Sequence, residues 1–542
     1  MNQKNVVKNN DSGKAVTFKA EEIFYYLFFA IMLFAKGIGL YEGMKFFTLC
    51  IIAAFICFTV KVCLTEHTVG EMALMFVLMV FGLLAYRNSG EMAAFIYVLV
   101  VVGMKHIPVK RIFKVGAAVW TAAFFSTTIL ALLKQIPDVA LVHSKLGLGH
   151  IIRWSLGYPH PNVLHISYVI LLAFFFYLAK LNKKQLIAAT ILLYAGNFYI
   201  FLYSVSYTGL ILTTVYLLAN LYFNFRGKFS KFEEILIQCI YPVCALLSVL
   251  GPVFIKGKLF DILNKMMNTR WNLSRYFLTE QRISLFGTRM VNLPDGNYNI
   301  DCSYVYILMY YGIILFVLIS AAYFFTIRGE VKRGKNKELA IMAAFLIAGM
   351  SEPFMANLSF KNLTLIFIGE YYYSVSVKAA DRKKELLWNR PIRLLPWAEK
   401  TVTVFLPDRI HPIGKLKEIF RQQEKKIVLV SLAAALVSGG GYFAFAERAE
   451  SAYVEVCLSD YWAGDKVRLD KNELPGNFNS LIIGNADGKT DMYLLTGNIV
   501  ALEHFRESVS IGLAGGLAAL FVLSAFLSLK HSSRREKEGY LI

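Results

Sequence analysis

Charge is scarce in this chain. Only 17% of the 542 residues are charged, while 57% are hydrophobic and 15% aromatic, with a mean hydropathy of +0.51. A soluble domain cannot hide that much apolar surface, which leaves a polytopic membrane protein. Acidic residues are scarcer than basic ones, 37 against 57, for a net charge of +20. Such a balance suits nucleic acid, but most of the basic residues stand in loops of one topological parity, as the positive-inside rule requires. No nucleic-acid partner is therefore expected. The seven cysteines form no CxxC pair. Cys50, Cys57, Cys63, Cys239 and Cys244 fall within apolar spans, and only Cys302 and Cys457 lie outside them. Metal-ligand spacings, a P-loop and a dinucleotide fingerprint are missing, so no metal or cofactor is expected. No Asp-x-Asp pair stands in an outer loop, which argues against a metal-held nucleotide sugar. No removable signal peptide is expected, because no short apolar segment near residue 1 leads into a small-residue cleavage site. There is no repeat with a period of about 20–50 residues.

Long apolar runs are what the chain has in plenty. The expected fold is an all-α polytopic membrane protein with about fourteen transmembrane helices. Residues 1–20, with Lys4, Lys8, Lys14 and Lys19, form a cytoplasmic tail. A twelve-helix core covers 21–378, with spans near 23–40, 46–62, 72–86, 92–104, 115–133, 163–181, 186–203, 210–223, 235–255, 303–327, 339–355 and 363–377. Basic clusters fix the inner loops, among them Lys110-Arg111, Lys183-Lys184 and Arg328 to Lys337. A basic cytoplasmic linker, 379–426, precedes a C-terminal unit, 427–542, with spans near 427–445 and 509–527. Between these lies the outer insert 447–508. Strand-like content at 453–458, 480–483 and 492–495, with a turn at 485–488, marks the insert as a small β-rich module, and a structural cap on the bundle is the plain reading of it.

Three marked segments share the outer face. The first is Arg153-Trp-Ser-Leu-Gly-Tyr-Pro-His-Pro-Asn162. It sets a cation, an imidazole, aromatics and two prolines at the mouth of a span, which a plain connector does not need. The prolines fix the backbone around His160, although Pro161 and Asn162 also suit a simple helix start. The second is the turn Ser204-Val-Ser-Tyr-Thr-Gly209. The third, 256–302, carries Arg270, Arg275, Arg282 and Arg289 among its cations. Outer loops are normally depleted of Lys and Arg, and guanidinium forks match phosphate oxygens. The same arginines also suit an interfacial helix from which they snorkel. Asp301, just before a span, is either a base for a sugar hydroxyl or a helix-dipole partner. Glu352 and Glu370 lie within or near spans and are candidates on that ground, or else pair with Lys361 or the hydroxyls of Tyr371, Tyr372 and Tyr373.

The motifs resemble those of Gram-positive Wzy-type repeat-unit polymerases, of the O-antigen polymerase and ligase-like class. Arg153-x-Ser-Leu-Gly-x-x-His-Pro-Asn162 is similar to that family's Arg-x-Ser-Leu-Gly-Phe-x-His-Pro-Asn signature. Ser206-Tyr-Thr-Gly-Leu210 is similar to its Ser-Arg-Thr-Gly-Leu turn, with Tyr207 in place of the arginine. Leu285-Phe-Gly287, Asp301-Cys-Ser-Tyr and Tyr311-Gly-Ile-Ile resemble its remaining run, with Cys302 in place of asparagine. The resemblance covers about residues 20–380 and leaves the C-terminal unit outside.

The resemblance implies a GT-C-like, metal-independent membrane glycosyltransferase. It would join oligosaccharide repeat units carried on polyprenyl diphosphate, outside the plasma membrane, into a capsular or exopolysaccharide. Arg153, His160 and Asp301 are the expected catalytic residues. Arg270, Arg275, Arg282 and Arg289 are expected on the diphosphate. Trp154, Tyr158, Asn162, Tyr207 and Tyr304 are expected on the sugars. A chain-length regulator is an expected partner, besides the lipid-linked substrate and the bilayer. A lipid-linked oligosaccharide flippase and an O-antigen-type ligase are the alternative readings.

Overall fold

The structure, a computed structural model, describes residues 14–145, 149–294, 298–382, 386–395, 401–406, 411–446, 453–458, 466–470, 482–484, 490–494 and 497–539. It is an all-helical membrane bundle with short strands at its two faces. In chain order, β1 (Lys14–Lys19) leads into α1 (Ala20–Gly37) and α2 (Lys45–Leu64). Then come β2 (His67–Thr68), α3 (Val69–Ser89), α4 (Ala93–Val102) and α5 (Val109–Leu132). β3 (Ala140–Lys145) and β4 (Gly149–Trp154) precede α6 (Pro161–Leu178), α7 (Lys183–Ser204), α8 (Tyr207–Phe225) and α9 (Lys231–Val249). Three short helices follow, α10 (Gly251–Phe254), α11 (Gly257–Met266) and α12 (Arg270–Glu280). A broken helix comes next: α13 (Ser303–Tyr306), a π-turn over Ile307–Tyr311, and α14 (Gly312–Arg333). α15 (Asn336–Ala348), α16 (Thr364–Arg382), β5 (Pro391–Ile392), β6 (Thr401–Leu406) and α17 (His411–Phe445) lead to β7 (Tyr453–Leu458), β8 (Lys466–Asp470), β9 (Ile482–Gly484), β10 (Thr490–Leu494) and α18 (Gly497–Gly539).

Ten of these helices, among the described residues, are long and apolar enough to cross a bilayer. The other expected spans fall on α1, α4, α15 and α16. α1 carries Glu21, Glu22 and Lys36, and α4 and α15 have only 10 and 13 residues. At about 1.5 Å per residue neither of the two reaches across a hydrocarbon core of about 30 Å. They can be short because protein surrounds them: α15 is buried along nearly its whole length. The innermost long helix is α6, with 67% of its apolar window buried, against 17% for α18 at the rim.

Local signals start the helices as the sequence directs. Thr68 and Glu71, Asn182 and Gln185, and Ser230 and Glu233 form reciprocal capping boxes at the starts of α3, α7 and α9. The strands were less expected. β1 pairs antiparallel with β6, so the N-terminal tail is joined to the basic linker, and β2 pairs with β5. α17 begins at His411, inside the expected linker rather than after it. β7 to β10 form an antiparallel sheet in the order β8-β7-β10-β9. The turn expected at 485–488 lies outside the described residues.

Candidate functional site

The loop after α5 folds into a hairpin, with Leu141 of β3 opposite Arg153 of β4. The chain then turns sharply through Leu156 and Gly157, both with positive φ. Asp138 holds this turn. Its Oδ1 accepts from Ser155 N at 3.2 Å, Ser155 Oγ at 3.1 Å and Gly157 N at 3.3 Å. Pro161 is the first residue of α6, and His160 caps the helix, its Nδ1 accepting from Asn162 N at 3.0 Å. The helix-start reading of His160 is thus observed.

Arg153, 2% exposed, points into the protein. Its Nε donates to Ser204 O at 2.7 Å and its Nη2 to Asn162 Oδ1 at 2.6 Å. Asn162 Oδ1 also accepts from Ser206 Oγ at 2.9 Å, and its Nδ2 donates to Glu352 Oε1 at 3.4 Å. The same Glu352 oxygen accepts from Arg270 Nη2 at 3.0 Å. Arg270 Nη1 donates to Thr208 Oγ1 at 3.2 Å. Arg270 Nε lies 3.2 Å from Asp301 Oδ2, close enough for an ion pair but without hydrogen-bond geometry. Ser303 fixes the backbone beneath Glu352, donating from Oγ to Glu352 O at 2.6 Å and from N to Gly349 O at 2.7 Å.

Nearly every residue of the turn between α7 and α8 contributes. Ser204 O receives Arg153, Ser206 caps α8 and reaches Asn162, and Thr208 receives Arg270. Gly209 makes room for His165: a Cβ there would stand 2.3 Å from the imidazole Cγ. His165, fully buried, is held by Ser204 Oγ at 3.0 Å and Asn197 Oδ1 at 2.6 Å. It buttresses the turn.

The charges in this cluster are strained by burial. Asp301, its side chain 37% exposed, is raised by burial, against the pull of Arg270. Burial lowers Arg153 to about 10, with Glu352 opposing. Two guanidinium groups, Arg153 and Arg270, thus stand beside two carboxyls, Glu352 and the half-exposed Asp301.

Other expected site residues lie elsewhere. Arg275 ties α12 to the preceding turn. Its Nε donates to Pro252 O at 2.5 Å, its Nη2 donates to Ile255 O at 2.6 Å, and its guanidinium stacks 3.6 Å from the Phe260 ring centre. Arg282 and Arg289 are exposed, and neither forms an ion pair among the described residues. Tyr158 and Tyr304, 0% and 1% exposed, present no ring face to a sugar. Tyr158 packs near Phe124, and Tyr304 donates to Leu346 O at 2.8 Å. Tyr207 stacks on Phe201. The Trp154 indole donates to Glu503 Oε1 at 2.9 Å, with Arg506 over its ring. Glu370 sits at the opposite end of the bundle from Glu352, bound to Arg333 at 2.9 Å and Lys335 at 3.0 Å.

The Leu285-Phe-Gly287 and Tyr311-Gly-Ile-Ile motifs meet each other. Thr288 N donates to Met309 O at 2.9 Å, Ile313 N to Ser284 O at 3.0 Å and Ile314 N to Leu285 O at 3.2 Å. The loop thereby plugs the break between α13 and α14. Gly287, at φ +80, allows this approach; a Cβ there would stand 2.0 Å from Tyr310 O. Sequence reasoning marked the 204–209 turn as a whole but gave Ser204 and Thr208 no role, and it did not single out Asp138. Short polar residues in a loop carry no distinctive signal until their partners are known.

No group of three or more His, Cys, Asp and Glu side chains among the described residues is arranged to hold a metal ion. Set beside protein-family models, curated proteins and solved structures, the chain matches none.

Proposed function

We propose that the chain is a membrane glycosyltransferase that polymerises polyprenyl-diphosphate-linked oligosaccharide repeat units at the outer face of a bacterial plasma membrane. The observation that carries this reading is the meeting of Arg153 and Arg270, from distant segments, around Asn162 and Glu352, with a half-exposed Asp301 at the edge. A buried pair of guanidiniums beside reluctant carboxyls suits a dianionic headgroup better than it suits a neutral ligand.

In this mechanism Arg153 and Arg270 hold the diphosphate of the donor. The acceptor hydroxyl attacks C1 of the donor sugar, the C1–O bond to phosphate breaks, and polyprenyl diphosphate leaves with the bonding pair. Asp301 takes the acceptor proton. A well-placed donor to the developing charge contributes about 3 kcal/mol. Arg282 and Arg289, exposed on the same loop, draw the donor in. Glu352 aims Arg270 directly and Arg153 through Asn162.

The deciding experiment uses purified protein in lipid with a lipid-linked repeat unit. Polymerisation yields a ladder of products, and Arg153→Ala abolishes it. A single transfer to a foreign acceptor points to a ligase. Movement of the lipid across vesicles with no new glycosidic bond points to a flippase, and either result overturns this reading.

A further inference from the structure

The C-terminal unit lies outside the resemblance, yet it touches the anion cluster's supports. α17 and α18 pack closely, the Gly439 and Gly512 backbones meeting so that a Cβ on Gly439 would stand 3.0 Å from Gly512 Cα. α18 reaches the core through polar groups. Glu503 Oε1 accepts from Trp154 Nε1 at 2.9 Å. Arg506 lies 5.5 Å over the Trp154 ring and 4.8 Å over the Tyr203 ring, and its Nη2 meets Glu503 Oε2 at 3.1 Å. One turn on, Ser510 Oγ lies 3.0 Å from Tyr203 OH and 3.2 Å from Tyr199 OH.

The positions of the two aromatic residues matter. Trp154 is the neighbour of Arg153, and Tyr203 is the neighbour of Ser204, whose carbonyl receives Arg153 Nε. The Glu503–Arg506 pair thus grips both halves of the contact that aims Arg153: the end of β4 and the end of α7.

We propose that Glu503 and Arg506 are positioning residues for Arg153, and that α18 clamps the β3–β4 hairpin to the α7–α8 turn. The functional half of this inference rests on the polymerase reading; the mechanical half does not.

The test uses the full chain in nanodiscs, as wild type, Glu503→Gln, Arg506→Ala and Arg506→Lys. Hydrogen exchange is followed at the amides of 149–158 and 203–206, with α9 as the internal control. The clamp predicts exchange at least about tenfold faster in those two segments for Arg506→Ala, no change in α9, and partial rescue by Arg506→Lys, which keeps the charge. Unchanged exchange at 149–158 overturns the clamp, whether or not the protein polymerises. Where polymer is made, Arg506→Ala should lower kcat and kcat/KM for the donor several-fold, because Arg153 acts on charge that develops on the leaving diphosphate. Faster exchange with unchanged kcat and kcat/KM would show a purely structural contact and overturn the positioning role.

Discussion

Replacing Glu352 by alanine removes the oxygen that Arg270 Nη2 meets at 3.0 Å and Asn162 Nδ2 at 3.4 Å. Both Glu352 and Arg270 are buried, so water does not take the vacated place readily. Breaking a buried pair by deleting one member costs roughly 3–5 kcal/mol, because the other charge is stranded. One feature places the expected loss at the low end: Arg270 keeps Asp301, 3.2 Å from its Nε. A loss of about 3 kcal/mol corresponds to roughly two orders of magnitude in the unfolding equilibrium. The assay is equilibrium unfolding in mixed detergent–lipid micelles for Glu352→Ala, Arg270→Met and the double variant. Removing the stranded guanidinium should return part of the loss, so the double variant should lose less than the two single losses combined, by at least about 1 kcal/mol. Additive losses, or a Glu352→Ala cost under about 1 kcal/mol, would refute the idea that Glu352 is the buried acceptor joining the two arginines.

Gly287→Ala forces a side chain 2.0 Å from Tyr310 O at a positive φ, and should cost upwards of about 2 kcal/mol, read as a lower melting temperature. Arg275→Met gives up two bonds to backbone carbonyls; it should lower stability by about 1–3 kcal/mol while leaving the donor KM unchanged. Arg282→Ala and Arg289→Ala, at exposed positions, should leave stability within about 0.5 kcal/mol and raise the donor KM, more at low than at high ionic strength.

Ten spans are legible in the sequence because a bilayer imposes a length and a composition together. α4 and α15 are the hard cases. Protein shields them, so they obey neither the length nor the amphipathic rule that lipid or water imposes. Arg153, Asn162, Arg270 and Asp301 are legible as candidates because cations, prolines and an acidic residue stand out at the ends of apolar runs. What the sequence does not separate is one arginine from another. Arg270 and Arg275 stand five positions apart on α12, yet one joins the cluster and the other ties the helix to Pro252 and Ile255. That difference depends on which carbonyls and carboxyls the fold brings near, which is a matter of tertiary placement. The aromatic residues fail for the same reason: Tyr158 and Tyr304 read as surface stacking groups beside a ligand but are needed to fill the interior.

The stitch between 284–287 and the broken helix also has a practical side. Thr288 and Ser303 are both fastened to the bundle, by Met309 O and Gly349 O, so the stretch between them departs from and returns to anchored points. An epitope inserted after the exposed Leu293 should be displayed without prising either fastening apart. The same epitope placed next to Phe286 should wreck the fold. That loop is therefore the natural place to hang a reporter that reveals, in whole cells, which side of the membrane the arginines occupy.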